Sequence, residues 1–282
     1  MSENVAVNER MLVDLLPYSL TSTPCVSIIS ENKVWVAASM LVHHLESFTD
    51  SLVVTDKNHN PIGQIGGKEI IEGVLKNPSS DFFDSTRVAD IMNLNLVNVS
   101  ETTTLKELLK KWMKTRRAFS MIPNYWQGYS AISARKLLEV AMGCRTDMRI
   151  SNMPKKNIVT FNFDDSIKNI MESMLENNTR KLVFKNTPSF VSDRILIQQI
   201  ARDLDYLRNV NNFLEMKFES PFKLADAKVV SEDLTIPEVA KLMYGMFHPY
   251  VFYKDQVISP WDICLELLSD ELTEYQYFGF VN

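Results

Sequence analysis

An α/β chain of four tandem repeats, each running β-α-β-β-α, is what this sequence predicts, and three observations lead there. A short apolar strand is followed four times by an amphipathic helix, two closely spaced strands and a second helix. The junctions between last strand and last helix fall at Gly66, Ser133, Ser192 and Ser259, separated by 67, 59 and 67 residues. The 282 residues are 45% hydrophobic and 23% charged, enough apolar material for a sizeable core. The equal outer spacings predict two similar pairs of repeats joined by a different connection.

The elements follow in order. The first repeat has a strand at Val26-Ser27-Ile28, a helix over Val34 to Glu46, and a strand at Leu52 to Thr55. A turn at Asn58-His59-Asn60, a strand at Ile62 to Ile65 and a helix from about Lys68 to Lys76 complete it. The second has a strand at Leu96 to Val99 and a helix from Thr104 to Thr115. Strands at Phe119 to Ile122 and Tyr129 to Ile132 follow, then a helix to Met142. The third has a strand at Ile158 to Phe161, a helix from Ser166 to Asn177, and strands at Lys181 to Phe184 and Ser189 to Val191. Its final helix begins near Asp193. In the fourth, Lys228-Val229-Val230 is a strand, and Ile236, Val239, Ala240, Leu242, Met243 and Met246 form one apolar helical face. Tyr250 to Tyr253 and Gln256 to Ile258 flank a Lys254-Asp255 turn, and Pro260 to Leu268 is the closing helix. These boundaries place repeats at 10–76, 87–143, 149–204 and 222–269. The connectors are Asn77 to Thr86, Gly143 to Arg149, and Leu204 to Pro221, which is expected to continue as helix before breaking at Pro221.

Charge and cysteine usage narrow the classes. A net charge of −5 supplies no global positive field, so nucleic acid is not an expected partner, and Lys155-Lys156 reads as a local patch. Met1 to Arg10 is polar and lacks the apolar stretch of a signal peptide, and no run is long enough to span a bilayer. The three cysteines lie far apart, without a CxxC pair, which suits a reducing cytoplasm. The histidines, His43, His44, His59 and His248, show no metal-binding spacing, and no nucleophile–base set can be assembled, so no enzyme is expected. The tryptophans (Trp35, Trp112, Trp126, Trp261) and the helical Met171 and Met174 read as packing residues.

At this point the repeats resemble cystathionine-β-synthase (CBS) domains, which normally work as pairs called Bateman modules. Val88-Ala89-Asp90-Ile91-Met92 with Leu96 to Val99 resembles the family's V-x-D-I-M opening and the strand that follows it. Ile150 to Met153 and Met11 to Leu16 are weaker versions. Gln256-Val257-Ile258-Ser259-Pro260-Trp261-Asp262 most fully resembles the family's G-h-h-S/T-x-x-D ending. The resemblance covers roughly residues 10 to 269 and implies two modules, 1–143 and 149–282, with clefts between paired repeats. In relatives such as the gamma subunits of AMP-activated protein kinase, those clefts bind AMP, ADP or ATP, and some members bind S-adenosylmethionine.

By that resemblance Asp262 holds a ribose, Ser259 meets a phosphate or ribose oxygen, and Lys228, Val229 and Val230 border the base. Ser-Pro-x-Asp is equally a good helix start, and that alternative stays open. In the first repeat Gly66 and Gly67 permit close approach of a phosphate and Glu69 stands in for the acid, or the glycines only form a turn. Lys136 and Ile195 occupy the acidic position in the second and third repeats, so those sites look vacant, and Asp193 reads as a helix cap. Arg117, Arg180, Lys181 and His248 begin the middle strands, where the family places phosphate partners. Arg180 and Lys181 would then face the Asp262 cleft, or be solvated strand ends. The resulting expectation is a stand-alone regulatory sensor of an adenine nucleotide or related adenosyl ligand. It has no obligatory cofactor and acts on an unidentified protein partner. The alternative is a binding-degenerate scaffold, and pairing of two chains as a homodimer is left open.

Overall fold

The computed structural model describes residues 5–16, 21–43, 51–124, 128–202, 208, 213–218 and 222–276. His44, the expected helix end at Glu46, Trp126 and Pro221 lie outside these. After helix α1 (Leu12–Leu15), the first repeat runs β1 (Ser27–Ile29), α2 (Val34–His43), β2 (Ser51–Thr55), β3 (Pro61–Gly66) and α3 (Gly67–Lys76). Two short helices, α4 (Ser80–Ser85) and α5 (Val88–Ile91), lead to the second repeat. That repeat is α6 (Leu105–Thr115), β4 (Phe119–Pro123), β5 (Tyr129–Ser133) and α7 (Ala134–Gly143). The third runs β6 (Thr160–Phe161), α8 (Ile167–Glu176), β7 (Lys181–Phe184), β8 (Ser189–Ser192) and α9 (Asp193–Arg202). Strand β9 (Ala225–Asp226) then precedes β10 (Lys228–Val229), α10 (Ile236–Tyr244), β11 (Val251–Tyr253), β12 (Gln256–Ile258) and α11 (Pro260–Glu266).

In three repeats the first strand pairs parallel with the second and the second pairs antiparallel with the third. The parallel step follows from the helix between the strands, and the antiparallel step from the short turn. His59, Asn186 and Lys254 take left-handed backbone at those turns, with φ of 64°, 62° and 52°. The second repeat departs from expectation. Its opening strand reduces to one parallel bridge, Asn98 to Met121, flanked by Val99 N–H to Met121 O and Met121 N–H to Val97 O, both 2.9 Å. Asparagine at its centre is a poor strand former, so pairing stops after one residue.

The chain divides into two compact units. One comprises the described parts of 1–25, 97–157 and 227–282, and thus the second and fourth repeats. The other comprises 26–96 and 158–226, and thus the first and third. Each has its own core. The first unit buries Trp112, Leu105, Leu108, Leu137, Leu138, Val239, Met243 and Ile263 together. The second buries Leu52, Ile65, Ile70, Phe83, Phe161, Met171, Met174 and Phe190. Trp112 donates its indole N–H to Ser120 Oγ at 2.7 Å and packs near Trp261. Trp35, expected to be a packing residue, is 47% exposed.

The chain reaches this arrangement by exchanging short opening segments, and one hydrogen-bond pattern recurs four times. Leu105 N–H donates to Arg10 O while Leu12 N–H donates to Thr103 O. Val34 pairs likewise with Thr86, and Val88 with Asn32. Ile236 pairs with Met148 and Ile150 with Leu234, then Ile167 with Met216 and Phe218 with Asp165. All eight bonds measure 2.8–3.1 Å, and seven of them occupy N–H groups at helix starts that have no partner inside their own helix, the eighth donor, Phe218, lying just beyond a 3₁₀ turn. Each repeat's first helix is thereby met by the opening segment of its sequence neighbour. The fourth opener, residues 213–218 with a 3₁₀ turn at Phe213–Glu215, falls where the sequence predicted continued helix. Its Phe-Leu-Glu-Met-Lys-Phe lacks the Asp-Ile-Met signature that marks the second.

Candidate functional site

The four strand-to-helix junctions can be compared atom by atom. In the fourth repeat, register aligns Lys228, Val251 and Ile258 in one row across β10, β11 and β12. Ser259 therefore leaves β12 at the sheet end where His248 and Tyr250 lead into β11. Ser259 is the N-cap of α11, and Pro260 fits the first helical position because it needs no N–H there. Asp262 Oδ2 accepts from Ser259 N–H at 2.7 Å and from its hydroxyl at 2.6 Å. Asp262 Oδ1 forms an ion pair with Lys156 Nζ. The carboxylate side chain is 10% exposed and the lysine side chain 49%. Lys156 is itself anchored by its backbone N–H, which donates to Gln256 Oε1 at 3.2 Å. One turn further along α11, burial pushes the Glu266 carboxyl up, Lys156 lowers it and Asp262 raises it again. Val229 stands 63% exposed on β10, Val230 is half-buried, and Lys228 is exposed.

The first-repeat junction, in the other unit, is closed. Gly66 caps α3, and its N–H donates to buried Glu69 Oε2 at 2.8 Å. Glu69 thus does for α3 what Asp262 does for α11, one methylene longer. A Cβ on Gly67 would lie 2.2 Å from Asp193 Oδ2, so glycine is required there by a carboxylate. That carboxylate comes from the third repeat. Asp193 Oδ2 accepts from Arg180 Nε at 2.7 Å, Oδ1 accepts from Arg194 N–H at 2.7 Å, and the residue is buried. Ser192 Oγ accepts Ile195 N–H, so Ser192 is the N-cap and Asp193 adds a first-turn acceptor and an ion pair. The space left among Leu41, Val42, Gly67, Arg180, Asp193, Arg194 and Ile197 is about 10 Å³, room for one water.

In the second repeat Ser133 Oγ accepts Lys136 N–H, and Lys136 Nζ folds back to Ala131 O at 2.7 Å. Burial lowers the Lys136 ammonium, and burial likewise raises Glu139, which accepts from the Tyr244 hydroxyl.

No family model and no curated protein matches the chain. Among solved structures, a Methanocaldococcus jannaschii protein, a candidate archaeal homologue of g-AMPK, superposes with a TM-score of 0.73 at 14% identity. The match covers 91% of this chain and 99% of that one. An uncharacterized conserved protein from Pyrococcus horikoshii gives 0.51 at 15% identity, over 89% and 99%. A CBS-domain containing protein from Agrobacterium tumefaciens gives 0.40 at 17%, over 47% and 93%. The chain has the tandem CBS-domain fold.

Within its CBS repeats, several expected site residues have partners that the sequence did not suggest. Arg180 engages Asp193, and Asp262 engages Lys156, each inside its own unit. Arg180 and Asp262 thus each carry an ion pair that no local pattern announced. Gly67, read from the sequence as either a phosphate approach or a plain turn, faces the Asp193 carboxylate. Lys181 starts β7 with its N–H toward Thr179 Oγ1, and His248 is half-buried with its ring against Phe247. Lys156 was the residue missed. The Lys155-Lys156 pair was visible as a basic patch, but nothing in a local pattern points a loop lysine at an acid 106 positions away. Among the described residues no group of His, Cys, Asp and Glu is arranged to hold a metal ion, and no helix is long and apolar enough to cross a membrane.

Proposed function

We propose that the chain is a non-catalytic cytoplasmic sensor that binds AMP, ADP, ATP or a related adenosyl ligand at the fourth-repeat junction and passes its state to a partner protein. The observation that carries this reading is the Asp262–Lys156 pair beside Ser259. A carboxylate able to accept from ribose hydroxyls stands next to an ammonium able to meet a phosphate, and the lysine remains half in solvent. Lys228 and His248 enter the sheet at the same end, where exposed Val229 offers an apolar side chain to a base while Val230, next along the strand, packs against the core. Two Bateman modules, 1–143 and 149–282, are supported by the opening segments exchanged between the first and second repeats and between the third and fourth, whereas the compact units group the first repeat with the third and the second with the fourth. A ligand that prefers one packing of a module over another shifts the population of that packing.

A second reading, a scaffold that binds no nucleotide, is favoured by the first-repeat junction, where Asp193 fills the approach to Gly67. Thermal denaturation with AMP, ADP, ATP and S-adenosylmethionine separates the two. A ligand at 100 times its dissociation constant stabilises by about 2.7 kcal/mol. The sensor reading expects such a shift with one of these ligands and its loss in Asp262→Ala. Silence from all four ligands selects the scaffold.

A further inference from the structure

We propose that Lys156 sets the phosphate requirement of the fourth-repeat site, acting as an internal counter-ion that a ligand must displace from Asp262. The inference rests on the sensor reading and adds the rule by which the site chooses among adenosyl ligands.

Three features of the geometry support it. Asp262 is nine-tenths buried, and one of its oxygens already accepts two bonds from Ser259, so the Lys156 ammonium occupies its other oxygen. A ribose that uses this carboxylate competes directly with the lysine. The lysine comes from a loop outside the helix and outside the fourth repeat, held at its backbone by Gln256, with half of its side chain in water. Its head group can leave Asp262 without moving α11. Glu266, lying one turn beyond, is raised by burial and by the Asp262 charge and lowered by Lys156, so the ammonium is near a second carboxyl as well as Asp262.

The consequence is an exchange. A neutral nucleoside that takes Asp262 leaves the ammonium without its carboxylate, and that loss counts against binding. A phosphorylated nucleoside gives the ammonium a new anion as the ribose takes the old one, so the ion pair is traded rather than lost. Lys156 thereby penalises adenosine and favours its phosphates without any rearrangement of the sheet. Serine and aspartate at a helix start supply the ribose side of this choice, and the lysine supplies the phosphate side.

The test is calorimetric titration of adenosine, AMP and ATP into wild type, Lys156→Met and Lys156→Arg, with melting curves to show that each variant is folded. Methionine keeps the length and removes the charge. The expected result is adenosine binding about fivefold tighter to Lys156→Met, as for loss of a partly exposed ion pair. AMP and ATP should bind weaker to that variant, and Lys156→Arg should retain the wild-type preference. Unchanged ratios of AMP to adenosine affinity in a folded Lys156→Met that still binds ATP would overturn the role of Lys156 and leave the sensor reading intact. No binding of any of the three to wild type or variants would overturn both. Adenosine binding by Lys156→Met alone would support the counter-ion role most directly.

Discussion

The fourth-repeat junction and the first- and third-repeat junction use the same groups, a buried carboxylate at a helix start with a half-exposed cation against it, but draw the cation from different places. In the closed junction the two partners are neighbours in sequence. Arg180 and Asp193 are 13 residues apart, and Asp193 N–H also donates to Arg180 O at 3.0 Å, so one hairpin carries both. The carboxylate lies on a glycine and leaves room for a water. In the fourth-repeat junction the cation arrives on a loop from 106 residues away, while the acid also accepts from its own helix cap. A pair built into one hairpin is part of the fold, whereas the pair made by a loop is the one proposed to be traded for a ligand.

That contrast can be broken by substitution, beginning with the largest effect. Gly67→Val places side-chain carbon on the Asp193 carboxylate and should destabilise by about 3 kcal/mol in urea unfolding, through overpacking and displacement of a buried carboxylate from its half-exposed guanidinium. A cost near zero would mean that the junction has room for a ligand after all. Arg180→Met leaves Asp193 buried without its guanidinium and should cost about 2 kcal/mol, against about 1 kcal/mol for Lys156→Met. Equal costs would erase the distinction between a fixed and an exchangeable pair. Ser259→Ala removes the hydroxyl that donates to Asp262 and should cost about 1 kcal/mol, with Ser133→Ala similar. A larger loss at Ser259 would show that Asp262 depends on it for more than the helix start.

The smallest expected effect is a pH dependence at Glu266. Burial holds its folded carboxyl above the ordinary glutamate value, so the ionised form costs stability at neutral pH and the cost fades as pH falls through the folded value. Glu266→Gln should therefore be more stable than wild type at pH 7. The two should converge as pH falls toward the usual carboxylate range, read from urea midpoints across pH. A constant difference would assign the gain to packing instead of charge.

Much of the fold was legible because its signals are local. Ile236, Val239, Ala240 and Met243 repeat at helical spacing and are buried, and the β11–β12 hairpin turns at Lys254-Asp255 as predicted. Strand ends shifted by a residue or two, and the second repeat's first strand shrank to a bridge at Asn98. The fourth opening segment escaped notice because Phe213 to Phe218 is recognised by hydrogen bonds to Ile167 and Asp165, which leave no mark in its side chains. At the site, Ser259 with Asp262 and Gly66 with Glu69 were visible as helix starts, since capping needs only a three-residue spacing.

The repeat, its element order, the helix caps and the acidic balance are all written in the residue order, because each depends on propensity or on residues a few positions apart. Which cation answers which carboxylate, with Gly67 against Asp193 and Asp262 paired to Lys156, emerges only once the chain is folded. Electrostatic partners are chosen by distance in space, and between distant segments a one-dimensional pattern carries no record of that distance.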